Sequence, residues 1–174
     1  MSFAKLGRLS LLNKFMTHLF TLEHFKKYSE SVDRRMSTAA VILEDGDRVL
    51  IVKANYKSHW TFPGGTIDAG ETPKQAAARE LFEETNLMVD ADKLTFAWVV
   101  SRVSKVAMTY QFLFRAKLSE VNLDDLKLQA SEIEDWRIVT RAEILSNNLH
   151  YSKAAEAWAR QADSGYLEHT FGED

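Results

Sequence analysis

Cysteine is absent from this 174-residue chain, which removes disulfides, thiol nucleophiles and thiolate metal sites together. Proline occurs only at Pro63 and Pro73, and no internal repeat or low-complexity tract is present. No apolar run approaches the roughly 18 residues that a membrane span needs. Neither charge sign dominates: 22 Lys and Arg against 25 Asp and Glu leave a net charge of −3. With no half of the chain strongly basic, a dedicated nucleic-acid binder is disfavoured. The apolar fraction of 45% and charged fraction of 27% are those of an ordinary globular domain. Length and composition together describe one domain with an appendage, and a cytoplasmic protein is the expectation.

The appendage is the N-terminal stretch, 1–35, ahead of a domain spanning 36–174. Residues 1–22 contain no acidic side chain, while Lys5, Arg8 and Lys14 are basic. Phe3, Leu6, Leu9, Leu12, Met16, Leu19 and Phe20 recur mostly at three- and four-residue steps, the spacing of an amphipathic helix. Residues 23–28 either extend that helix or form a second one. Three roles compete for it: packing on the domain or on a second copy in a homodimer, lying on a membrane surface, or serving as an organellar presequence. Asn13 and Lys14 interrupt any secretory hydrophobic core.

From Ser37 the pattern turns to strands. The runs 38–43 and 48–53 are β-branched or apolar and flank Asp45-Gly46, a strong hairpin signal. A short strand is expected at 60–62, then strands at 94–101, 107–116 and 135–139. Helices are expected at 72–85, 141–145 and 152–161, loop with some helix at 118–131, and from Asp163 to Asp174 a tail that is either frayed or laid on the surface.

The helix at 72–85 carries the chemistry. Thr72 suits the cap, Pro73 the first helical position, and Gln75 completes a Thr-x-x-Gln capping box. Ala76, Ala77 and Ala78 keep the helix slim, and Asn86 stands where a left-handed closing residue is wanted. Glu80, Glu83 and Glu84 fall within about a 100° arc of one face. Like charges that close weaken a helix unless a cation lies among them. An all-oxygen donor set suits a hard divalent ion, Mg²⁺ or Mn²⁺.

Gly65, five residues, Glu71, seven residues, Arg79-Glu80-Leu81-Phe82-Glu83-Glu84, one residue, then Asn86 and Leu87 together resemble the Nudix box. Chance agreement at the polar and glycine positions is on the order of one in 10⁶ per start position. The family pattern has glycine where this chain has Asn86, a departure at the helix end that touches no expected ligand. A Trp60-x-Phe62-Pro63-Gly64-Gly65 approach to the box is shared with many members.

The resemblance implies an α/β (α+β) fold, an α/β/α sandwich around a mixed sheet, here with an N-terminal helical extension. It also implies a Mg²⁺-dependent nucleotide pyrophosphohydrolase that cleaves a diphosphate linkage in a nucleoside diphosphate derivative with metal-activated water. Carried over by position, Glu80, Glu83, Glu84 and the Gly65 carbonyl hold the metal. Arg79 orients a metal-binding glutamate with help from Glu71, and Glu132, ahead of Glu134, supplies a base or extra ligand from a later loop. The alternative is a non-catalytic nucleotide-sensing module of the same fold, against which the intact carboxylate set speaks. No proline follows Pro73, whereas relatives specific for ADP-ribose often carry one downstream of the box. The Pro- and Trp-rich motif of NADH pyrophosphatases and the coenzyme A signature are absent too. Tyr56, His59, Trp60, Phe96, Trp98, Tyr110 and Phe112 are the aromatic and imidazole candidates for a base-stacking pocket.

Overall fold

Strand β1, Met36–Asp45, is buried on both faces: Ala39, Val41 and Leu43 point one way, Ala40 and Ile42 the other. A strand of this kind reads as a continuous apolar run because helices cover both sides of its sheet. In the computed structural model, which describes residues 21–31, 35–103, 108–146 and 148–170, β1 is the hub of a seven-stranded mixed sheet. Strand β5, Met108–Lys117, runs parallel to it from Met36↔Thr109 to Glu44↔Lys117. On its other side β1 meets two partners in turn, both antiparallel. Strand β2, Arg48–Ala54, pairs with its end at Glu44↔Val49, and β3, Gly64–Thr66, pairs with Thr38 to Ala40. The β1–β2 turn is made by Gly46 at φ +62°, a conformation that favours glycine.

Outward from this centre, β6 (Ile133–Thr140) flanks β2, while β4 (Thr95–Val103) flanks β5. Strand β7, Gly165–Thr170, lies parallel along β4. One face of the sheet carries helix α2, Pro73–Thr85, with Ala76, Ala77 and Leu81 packed on Val41, Leu43, Leu50 and Phe114. Here α1 denotes Leu22–Ser31. The opposite face carries α3 (Arg141–Leu145) and α4 (Lys153–Ala159), with Ile144 and Trp158 packed on Ile42, Ile51 and Leu113. Glu44 fastens α4 to this frame, accepting from the Trp158 indole N–H and from Arg115 Nη1 at 2.6 Å. The result is the expected α/β/α sandwich.

One expectation needs correction. The strand before the helix falls on Gly64–Thr66; Trp60 and Thr61 make only isolated bridges, to Tyr151 and Val52. Pro63 ends that approach because it has no N–H to offer a ladder. The tail does not fray through 165–170 but takes the other option, lying on the surface as a partly exposed strand. The Trp98 indole N–H donates to the Asp163 carbonyl at 2.7 Å, which brings the chain alongside β4 to pair Trp98↔Gly165 through Val103↔Thr170. Residues 118–131 hold two 3₁₀ turns, Leu118–Glu120 and Leu123–Asp125, within otherwise irregular backbone.

The chain divides into two units, Met1–Arg34 and Arg35–Asp174. In the first, α1 is helical where residues 23–28 left two options open, and none of its residues is buried. The amphipathic run up to Phe20, and with it the homodimer, membrane-surface and presequence readings, lies outside the described residues. Among those described, no helix is long and apolar enough to cross a membrane.

Leu81 is fully buried between α2 and the sheet. Leu81→Ala therefore costs about 2–5 kcal/mol, lost methyl groups plus the cavity they leave. Urea unfolding checks this, and a loss below about 1 kcal/mol would show that α2 does not depend on this contact.

Candidate active site

Helix α2 starts and stops where its ends are chemically satisfied. The Thr72 hydroxyl accepts from the Gln75 N–H at 3.3 Å, and the Gln75 side chain accepts from the Thr72 N–H at 2.9 Å. At the other end Asn86 adopts φ 61°, and its N–H donates to the Phe82 carbonyl at 2.7 Å. The Asn86 amide also donates to the Asp125 carbonyl at 2.9 Å, a bond that glycine could not make. The departure from the family glycine thus leaves the helix closed and adds a tie to the later loop. With Ala76, Ala77 and Leu81 turned into the core, Glu80 and Glu84 face the backbone of β3.

Arg79 organises the carboxylates. Its Nε donates to Glu71 Oε1 at 2.8 Å and its Nη2 to Glu71 Oε2 at 3.0 Å. Nη1 reaches both Glu80 Oε1 at 2.9 Å and Glu83 Oε2 at 2.8 Å. Nη2 also donates to the Thr66 carbonyl at 2.9 Å, which pins the loop between β3 and α2. These bonds hold the guanidinium firmly charged, Glu71 contributing most. Glu71 is in turn held below the usual carboxylate range, chiefly by Arg79. The Glu71 carboxylate also accepts from the Asp68 N–H at 3.1 Å.

Glu84 differs from its neighbours. It is only 3% exposed and accepts one hydrogen bond, from the Gly64 N–H at 2.9 Å. No cation pairs with it among the described residues, and burial pushes its carboxyl up to about 7. Glu80 is also raised, by burial, although Arg79 opposes the shift. The two glycines explain how the carboxylates come so near the strand. A Cβ on Gly65 would lie 2.5 Å from Glu80 Oε2. A Cβ on Gly64, whose φ is +154°, would lie 2.3 Å from the Ala39 carbonyl. Backbone closes the position of Gly64 to a side chain, and at Gly65 a side chain would push the Glu80 carboxylate aside.

Glu132, on the turn before β6, is exposed and within electrostatic reach of Glu80 and Glu84. Its backbone carbonyl accepts from the Asn55 N–H at 2.9 Å. Glu134 is taken up in a salt bridge with Lys53 at 3.1 Å. Of the aromatic candidates, Trp98 and Trp60 are buried in the core beneath Arg115 and Arg137. Tyr56 is exposed and feels Glu84, Glu132 and Glu80. Burial, helped by Lys57 and Arg102, lowers the His59 pKa and keeps the ring neutral near pH 7. Lys57 and Arg102 themselves had drawn no attention in the sequence. The available signal was an arginine two residues past Val100, in the inward phase of a strand.

The donors fit a hard divalent ion. All are oxygens, and Glu84 is a buried carboxylate with no ion pair among the described residues. Among the described residues no three carboxylates or imidazoles converge on one point, because Arg79 draws Glu80 and Glu83 to itself.

A family model described as the NUDIX domain matches residues 33–161. An RNA pyrophosphohydrolase of Francisella philomiragia is 34% identical over 120 residues, covering 61% of this chain and 77% of that protein. A MutT-like protein of Streptomyces ambofaciens is 32% identical over 76 residues, 44% of this chain and 49% of its own, so the chain spans about half of that relative. A MutT protein from Bacillus halodurans shares the fold with a TM-score of 0.65 and 22% identity, covering 80% of this chain and 92% of that one. An Ap4A hydrolase of C. elegans superposes with a TM-score of 0.57 at 25% identity, over 72% and 93% of the two chains.

Glu84 makes stability fall as pH rises. Between the ordinary carboxylate range and about 7 the folded protein keeps a proton that the unfolded chain releases. The resulting loss, complete above that window, is on the order of 3 kcal/mol. Glu80 acts in the same sense, and Glu71 in the opposite one, its contribution vanishing as pH falls. In chelator, Glu84→Gln keeps the acceptor for Gly64 and flattens the decline in melting temperature between pH 5 and 8. An unchanged slope in that variant would place the pH dependence elsewhere.

Proposed function

The chain belongs to the Nudix family, and from that premise we propose that it hydrolyses a diphosphate linkage in a nucleotide-type substrate with Mg²⁺ at the α2 glutamates. One observation carries this reading above the rest: Glu84 is buried without an ion pair among the described residues, one turn from Glu80, against the backbone of Gly64 and beside Gly65, where a side chain would displace the Glu80 carboxylate. A protein that only bound nucleotides would gain nothing from that arrangement, since an unpaired buried carboxylate costs stability.

Glu80, Glu83, Glu84 and the Gly65 carbonyl would hold the ion, with Mn²⁺ an acceptable substitute. When bound, it neutralises diphosphate oxygens and acidifies the attacking water. Arg79 orients Glu80 and Glu83 by donating to each, and Glu71 fixes Arg79 through both of its oxygens. Glu132 is our choice for the base that takes the water's proton. Its side chain is exposed and, among the described residues, not engaged in an ion pair. A base of this kind has to meet the water unencumbered.

The names of the relatives put RNA and dinucleotide linkages first among substrates to try. Sugar nucleotides and nucleoside triphosphates complete the panel. Mg²⁺-dependent release of phosphate, pyrophosphate or nucleoside monophosphate from at least one of them is the expected result. Glu83→Gln lowers the rate at least about 100-fold, the scale of a lost electrostatic stabiliser. Turnover near that of the wild type in this variant would remove the glutamates from the reaction.

A further inference from the structure

The β2–β6 ladder does not run straight to its end. Arg48↔Thr140 through Lys53↔Asp135 pair in step, but the next pair is Ala54↔Ile133, which leaves Glu134 as the extra residue of a β-bulge. Before the bulge, Trp136 and Ile138 face the core under α2, opposite Val52 and Leu50. An unbroken strand would carry that phase to Glu134 and set its carboxylate opposite Ala54. The bulge turns Ile133 into the core with Leu81 instead, and Glu132 and Glu134 are both exposed. Lys53 then engages Glu134 at 3.1 Å.

The backbone of Glu132 is gripped from two sides. Toward α2, the Gln129 N–H donates to the Glu84 carbonyl at 3.1 Å, and the Gln129 carbonyl accepts from the Glu132 N–H at 2.9 Å. Beside them the Lys127 N–H donates to the Thr85 carbonyl at 2.9 Å. The last carbonyls of a helix have no partner within it, and here the segment leading to Glu132 caps them. Toward β2, the Asn55 N–H donates to the Glu132 carbonyl at 2.9 Å, and Asn55 Nδ2 donates to the Ser131 carbonyl at 2.7 Å. Ala130, Ser131 and Glu132 are all exposed, so hydrogen bonds and not packing hold this turn. Of these contacts only the one to Ser131 comes from a side chain. Only Asn55, therefore, contributes through the identity of its residue.

Resting on the hydrolase reading above, with Glu132 as its base, we propose that Asn55 is the positioning residue for that base. Asn55 fixes the Ser131–Glu132 turn to the end of β2, while the Gln129 bonds fix it to the helix that carries Glu80, Glu83 and Glu84. A general base has to lie within hydrogen-bond reach of the water it deprotonates. A displacement of about 1 Å costs up to about 100-fold in rate. Asn55 acts here through Glu132, by holding the turn from which its carboxylate reaches out.

Asn55→Ala, which keeps the backbone bond to Glu132, is expected to lower kcat about 5- to 10-fold with KM unchanged, the scale of one lost hydrogen bond. The assay uses the full chain with Mg²⁺ and the panel substrate that the wild type turns over fastest. Asn55→Gln, which retains the donor, recovers part of the rate. Melting curves verify that both variants fold. Mn²⁺ binding, measured by calorimetry without substrate, keeps its wild-type affinity in both. The decisive comparison is a double-mutant cycle: in a Glu132→Gln background, Asn55→Ala costs nothing further. The same loss in that background, or an unchanged kcat in Asn55→Ala, would overturn the positioning role. A parallel fall in Mn²⁺ affinity would overturn it too, because Asn55 would then brace the metal site as a whole. Wild-type turnover by Glu132→Gln would reject the base and this role together, yet leave the Glu83 assignment standing. Wild-type turnover by Glu83→Gln would reject the hydrolase reading itself, and this role with it.

Discussion

Five hydrogen bonds converge on the Arg79 guanidinium, and the arrangement of the site depends on them. Three glutamates at helical spacing on one turn of α2 repel one another, and such a cluster tends to unwind the helix that carries it. Arg79 offsets the repulsion from within the same turn. Glu71, from the preceding loop, grips Arg79 through both carboxylate oxygens, the planar two-point geometry that only arginine offers. The Thr66 carbonyl adds the end of β3 to the same centre. Strand, loop and helix are thereby joined through one charged group, which fixes the loop although its own residues bury little apolar surface.

The backbone of β3 and β1 supplies the complementary constraint. Gly64 packs against the Ala39 carbonyl at a distance that excludes any Cβ, and Gly65 lies so near the Glu80 carboxylate that a Cβ would displace it. This close approach lets the Gly64 N–H reach Glu84 inside the protein. The apolar floor under α2, built from Ala76, Ala77 and Leu81, holds the helix near enough for that contact. Burial thus pushes the Glu84 and Glu80 carboxyls up, Arg79 opposing the shift at Glu80, while Arg79 holds Glu71 low, so three carboxylates on one short stretch have unlike proton affinities. A site that accepts a divalent cation benefits from this division. The buried carboxylate would attract such an ion, and the braced ones would stay oriented.

Much of the fold was legible in the sequence because local signals and long-range packing agreed. The two blocks of β-branched residues around Asp45-Gly46 became β1 and β2, and the Thr72, Pro73 and Gln75 signals marked the start of α2 to the residue. Disagreement came where pairing is non-local. Gly64–Thr66 has poor intrinsic strand preference, and it is a strand because β1 offers it an open edge. Gly165–Thr170 is a strand because Trp98, far away in sequence, captures the Asp163 carbonyl beside β4. No window of sequence around either segment contains its partner.

The same division holds for the site. The spacing of Gly65, Glu71, Arg79, Glu80, Glu83 and Glu84 was sufficient to establish the family and the face on which the glutamates gather, since helical geometry converts spacing directly into direction. Tertiary structure alone decided that Glu84 is buried and accepts from the Gly64 N–H, and that Glu134 is engaged by Lys53 while Glu132 is exposed within electrostatic reach of Glu84. Periodicity tells which way a side chain points within its own element. Burial, and the identity of the charge that faces it, depend on elements that only folding brings near.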